Sequence, residues 1–196
     1  MPSPETSLAA EERATLLELA RAAIRARFDG RTLKPEPAAL SPRLAAPGAS
    51  FVTLERRGAL RGCIGSLEPR RPLAEDVCAN ACAAAFDDPR FPPLARPELE
   101  GLELHLSILG PLEPLAAESE TAALAALEPG VDGVVLEEGG HRATFLPAVW
   151  EQLPEPRQFL EHLKRKAGLP PGHWSRALRL GRYRVEAFGA PFHPPA

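Results

Sequence analysis

One segment constrains the fold of this chain more than any other. Between Leu102 and Leu109, Leu102, Leu104, Leu106 and Ile108 alternate with Glu103, His105 and Ser107. A period of two sends the aliphatic side chains to one face and the polar ones to the other, as in a strand with one face on a core. Such a strand belongs in an antiparallel sheet, because strands of parallel sheets are covered on both faces and read as continuous apolar runs. The polar trio has two readings: the solvated face of that strand, or a polar wall carrying an acid–base imidazole.

The rest of the chain agrees with an antiparallel plan. Leu16, Leu19, Ala20, Ala23, Ile24 and Phe28 recur at helical spacing, so a helix is predicted from about Leu8 to Phe28, capped by Thr6 or Ser7 and stopped at Asp29-Gly30. Pro35, Pro37, Pro42 and Pro47 exclude long helix and central strand from residues 31–50, which read as an extended arm. Phe51–Arg56 and Leu60–Gly65 form a predicted hairpin around Gly58, and a helix follows over Leu73–Phe86. Residues 87–93, Asp-Asp-Pro-Arg-Phe-Pro-Pro, form a fixed irregular loop, with Phe91 expected to anchor it in the core. A short helix over 118–127 and a hairpin around Gly139-Gly140 come next, then helices at 147–153 and 156–167 and one closing strand over 180–188. Irregular alternation with recurring hairpins predicts an α+β fold, mainly antiparallel sheet with flanking helices.

At 196 residues, with 44% hydrophobic and 25% charged residues, the chain is long enough to bury a real core without metal or disulfide support. It predicts one domain, or two small lobes sharing a core. A formal charge of −3 argues against a dedicated nucleic-acid binder, which needs clustered cations. The cysteines are odd in number, Cys63, Cys78 and Cys82, and the polar N-terminus does not read as a signal peptide, so reduced thiols in the cytoplasm are expected. No apolar run approaches the roughly 18 residues of a membrane span.

Ordered blocks then make the chain recognisable. Leu60-Arg61-Gly62-Cys63-Ile64-Gly65 is followed by Pro72-Leu73-Ala74-Glu75-Asp76-Val77 and by Ala85-Phe86-Asp87-Asp88-Pro89-Arg90-Phe91-Pro92-Pro93-Leu94. Further blocks lie at Gly130–Val134, at Ala143–Pro147 and around Tyr183–Phe188. Together they resemble the AMMECR family, one part of the AmmeMemoRadiSam set, over nearly the whole chain. The resemblance implies a single domain over 1–196, with a larger and a smaller lobe and a cleft between them. It implies a Memo-type protein and a radical-SAM protein as partners and no particular reaction; no cofactor is expected. Cys78 and Cys82 stand where the family has aliphatic residues. Glu103 matches the family pattern best among the polar trio.

The candidate site centres on Arg61 and Cys63. Strand alternation puts both on one face, and a guanidinium close to a thiol favours the thiolate. Cys63 is then a nucleophile or ligand contact, Arg61 its stabilising partner, and Gly62 and Gly65 let a ligand approach. The same residues also fit a buried cysteine, a bulge and an arginine tying down a loop. Asp88 and Arg90 flank a proline that fixes their loop, and they read either as a substrate clamp or as an internal pair. No metal set stands out. Cys78 and Cys82, at i and i+4, lack the further ligands of a zinc site and are expected to pack. Lys164-Arg165-Lys166 is a basic helix end suited to an anion such as RNA, or simply to the helix dipole.

Overall fold

The alternation at Leu102–Leu109 is realised as a strand whose four even-numbered residues are buried and whose odd-numbered ones are half-buried or exposed. The computed structural model describes residues 7–193. In chain order these form α1 (Ala10–Phe28), α2 (Pro42–Ala45), β1 (Pro47–Gly48), β2 (Ser50–Arg56), β3 (Ala59–Gly65), β4 (Arg71–Pro72), α3 (Leu73–Phe86) and β5 (Leu102–Leu109). Then come β6 (Glu113–Pro114), α4 (Glu120–Ala126), β7 (Gly133–Glu138), β8 (His141–Phe145), α5 (Pro156–Lys166), β9 (Arg179–Tyr183) and β10 (Val185–Pro191). The fold is α+β with antiparallel sheets flanked by helices. The chain divides into two compact units, one of residues up to Leu109 together with those from Glu186 onward, the other Gly110–Val185.

In the first unit the strand order is β10-β5-β2-β3. β2 pairs antiparallel with β5, Leu54 opposite Leu104 and Val52 opposite Leu106, so the aliphatic sides coincide. That side packs with Leu16, Ala20 and Ile24 of α1 and with Val77, Ala81 and Ala84 of α3 in one buried cluster. Each aliphatic side chain so buried contributes roughly 1.5–3 kcal/mol. The run of alanines in α3 lets the helix lie close to the sheet: a Cβ on Gly62 would stand 2.1 Å from the carbonyl oxygen of Ala84. One buried carboxylate ties the layers together. Asp76 accepts hydrogen bonds from the backbone N–H and hydroxyl of Ser50, from Ser66 Oγ, from Asn80 Nδ2 and from Arg71 Nε.

In the second unit the order is β6-β9-β7-β8. Val134, Leu136, Phe159, Leu160 and Leu163 form its core. The Trp150 ring stacks on Phe159 at 3.7 Å between centroids. Lys164 is wholly enclosed and donates to Glu120 at 2.8 Å and to the Pro171 carbonyl at 3.0 Å. The basic end of α5 is thus only partly a surface feature, since its first cation faces inward.

Four local expectations change. The first helix begins at Ala10 after Ala9, with Glu12 accepting the Ala9 N–H, while the Ser7 hydroxyl donates to Glu186; Thr6 lies outside the described residues. The arm is not featureless, because Pro37 and Pro42 each open a short helical turn, where a missing N–H costs nothing. Residues 147–151 are a 3₁₀ turn rather than a longer helix. The closing strand is two strands. β9 pairs with β7 in the second unit, whereas β10 joins β5 in the first, so Arg184 marks a change of partner that the continuous pattern hid.

Candidate functional site

The hairpin β2–β3 turns at Arg57 and Gly58, both at positive φ (54° and 74°), the mirror-image turn that suits strand twist. Arg56 faces Ala59 and Glu55 faces Leu60, but Leu54 then faces Gly62. Arg61 is therefore the extra residue of a β-bulge. The bulge shifts everything beyond it by one position, so Gly62 and Ile64 turn toward the helices and Cys63 lands opposite Thr53 on the far face. Strict alternation between Arg61 and Cys63 does not hold.

The arginine consequently does not serve the thiol. Arg61 donates from Nε and Nη2 to the two oxygens of Glu98, at 2.8 and 3.0 Å, and from Nη2 to the Pro92 carbonyl at 2.9 Å. This two-pronged contact is geometrically specific for a guanidinium and a carboxylate. The Arg61 hydrogen bond lowers the Glu98 carboxyl to about 2, against desolvation and with help from the Ala95 N–H. The part-buried Phe91 ring lies beneath both Arg61 and Arg90, and Leu94, not Phe91, is the loop's buried anchor.

β3 is an edge strand, and its outward backbone groups at Cys63 need partners. Asp88 and Arg90 supply them. Asp88, only 3% exposed, accepts the Cys63 N–H at 2.9 Å, and Arg90 donates from Nη2 to the Cys63 carbonyl at 3.3 Å. The two are locked to each other at 2.7 Å. Hydrogen bonds from Arg90 hold the Asp88 carboxyl well below the usual carboxylate range, despite its burial, with the Cys63 and Arg90 N–H groups adding to the effect. The aspartate and arginine thus act as a side-chain substitute for a neighbouring strand. Asp88 is engaged by internal partners, while Arg90 keeps a half-exposed guanidinium.

The glycines have packing roles. Gly62 sits under the Ala84 carbonyl, and a Cβ on Gly65 would fall 2.3 Å from the Phe51 ring, so protein atoms occupy the space expected for a ligand. Cys63 is half-buried, and its sulfur accepts a hydrogen bond from Thr53 Oγ1 at 3.3 Å. Thr53 also stands opposite His105 in the β2–β5 register, so Cys63, Thr53 and His105 occupy adjacent strands on one face. Glu103 shares that face, two residues from His105 and directly opposite Glu55. Cys78 and Cys82 lie elsewhere. Cys78 Sγ contacts the Leu19 carbonyl of α1, and burial pushes its thiol up to about 12; burial also raises Cys82.

Sequence reasoning missed Thr53, Glu98 and Glu55. Counting back from the turn without a bulge places Gly62, not Cys63, opposite Thr53. Glu98 lies far from Arg61 in sequence, with no spacing signal between them.

The family model described as AMMECR1 matches residues 17–188. The chain belongs to the AMMECR1 family. A protein of Methanothermobacter thermautotrophicus is 37% identical over 183 residues, covering 92% of this chain and 95% of its own. One from Thermotoga maritima is 35% identical over 161 residues, covering 81% and 87%. The crystal structure of an uncharacterized protein from Pyrococcus horikoshii matches with a TM-score of 0.87 at 32% identity, over 95% of this chain and 96% of that one. Within this AMMECR1 member, β3 and the Asp-Asp-Pro-Arg loop are one structural object, since the loop closes the edge that the strand leaves open. Among the described residues no helix is long and apolar enough to cross a membrane.

Proposed function

We propose that this AMMECR1-family chain is a small-molecule-binding component of a modification pathway linked to radical-SAM and Memo-type proteins, and that its ligand lies on the sheet face around Cys63. One observation carries the reading. A half-buried thiol stands on the face opposite the helices, its backbone pinned on both sides by Asp88 and Arg90 and its sulfur held by Thr53. Rigid placement of a soft nucleophile is what a site requires and what packing alone does not. In this reading Cys63 meets the ligand, Arg90 offers a cation to an anionic group, and Arg61 is a positioning residue that ties the loop to β3 at the Pro92 carbonyl. The test is the rate of Cys63 alkylation as pH is raised, with Cys78 as internal reference. Cys63 should react far faster than Cys78; a Cys63 as inert as Cys78 overturns the proposal.

A second reading rests on a different observation. Arg61, Gly62 and Gly65 are all used internally, by Glu98, Ala84 and Phe51. A non-catalytic module that docks on a Memo-type or radical-SAM partner, or on RNA, needs nothing more from these residues. Co-purification with and without nuclease separates the partners. Pathway output that survives Cys63→Ser favours this module over the ligand site.

A further inference from the structure

We propose that Glu55, Glu103 and His105 form a binding site for a divalent cation of the zinc class. The site is independent of any chemistry at Cys63. It follows first from sheet register. Glu55 and Glu103 are direct cross-strand partners on β2 and β5, and His105 is two residues along β5 from Glu103, so all three side chains leave the same face. Like charges placed directly opposite each other in a sheet destabilise it unless a cation lies between them.

The donor atoms are also close together. His105 Nε2 lies 3.7 Å from Glu55 Oε2 and 3.6 Å from Glu103 Oε2. These separations exceed a hydrogen bond. They come close to what one ion would impose, because bonds of about 2.0–2.2 Å to zinc at tetrahedral angles put ligand atoms roughly 3.3–3.6 Å apart. One donor atom from each residue falls within 4.8 Å of the others, and this is the group with such spacing among the described residues.

The imidazole is left unsatisfied at one nitrogen. The ring is 41% exposed, yet Nε2 itself has no accessible surface and no hydrogen-bond partner. Buried ring nitrogens are nearly always partnered, so this one is aimed at something the two carboxylates would share. The ring is also held from behind. A Cβ on Gly189 of β10 would stand 2.4 Å from His105 Nδ1, so only glycine lets the neighbouring strand lie against the ring. One imidazole and two carboxylates are a borderline donor set suited to zinc, and three protein ligands leave a position open for water or a substrate oxygen. Thr53, opposite His105, lies on the same sheet face between His105 and Cys63.

The experiment titrates the chelator-treated chain with Zn²⁺ by calorimetry and with Co²⁺ by visible absorption. One ion should bind per chain, with cobalt d–d bands but no near-ultraviolet sulfur-to-cobalt band, since no thiolate takes part. His105→Gln should weaken binding at least about 100-fold and Glu103→Gln at least about tenfold. Cys63→Ser, and Glu137→Gln on the exposed face of β7, should leave it unchanged. Glu103 is well exposed, so its variant decides the matter even where His105→Gln compromises folding. Failure to bind, binding insensitive to Glu103→Gln, or a thiolate charge-transfer band each overturns the site.

Discussion

Each unit of this molecule ends its sheet in an exposed edge, and the two edges are closed by different means. In the first unit β3 is closed at Cys63 by a buried carboxylate that is itself locked by Arg90. In the second unit β8 is closed at the Thr144 carbonyl by Lys166 Nζ at 3.0 Å, an exposed cation of α5 that also lies over the Phe145 ring. Both satisfy the backbone. The first also specifies position, because a desolvated aspartate with fixed partners has one low-energy arrangement, whereas a lysine stem has many. The difference is one of burial: the group that closes the edge at Cys63 is desolvated and doubly partnered, and the one at Thr144 is exposed.

The sharpest test of that contrast is Gly62→Ala. Its Cβ meets a backbone carbonyl, so α3 or β3 must shift, at a cost of about 2–3 kcal/mol in urea unfolding. Next is Asp88→Ala, which strands the Cys63 N–H and frees Arg90; a loss of about 2 kcal/mol is expected, together with a changed Cys63 alkylation rate. Unchanged alkylation in Asp88→Ala would break the link between edge closure and thiol placement.

A smaller effect comes from Glu98. Its folded carboxyl is lowered to about 2 by Arg61, so the pair adds stability above the unfolded carboxyl value near 4.5. That contribution is lost as pH falls toward about 2, and after screening it amounts to about 1 kcal/mol. Unfolding measured from pH 6 to pH 2 should therefore be less steep in Glu98→Gln than in the wild type. Last is Lys166→Ala, expected to change stability by no more than about 0.5 kcal/mol. A loss as large as that of Asp88→Ala would erase the distinction between the two edges.

Much of the fold was legible. The β5 alternation, the helical spacing of α1 and the turn glycines are local patterns with local causes, and each element appears within a few residues of its expected place. Parts of the site were legible as residues but not as contacts. Cys63, Asp88 and Arg90 do come together, while Arg61 turns to Glu98 and the two glycines serve packing.

The amino-acid order alone determined the period of each element, the kinship with AMMECR1 proteins and the residues from which a site could be drawn. The tertiary structure decided which face each of them occupies. The reason is the bulge at Arg61: a single extra residue in β3 inverts the facing of all that follows, and without it Cys63 would pair with Val52 beneath α3. The glycines of β3 allow a bulge in the sequence without fixing its place, and the close approach of Gly62 to the Ala84 carbonyl accompanies the place it takes.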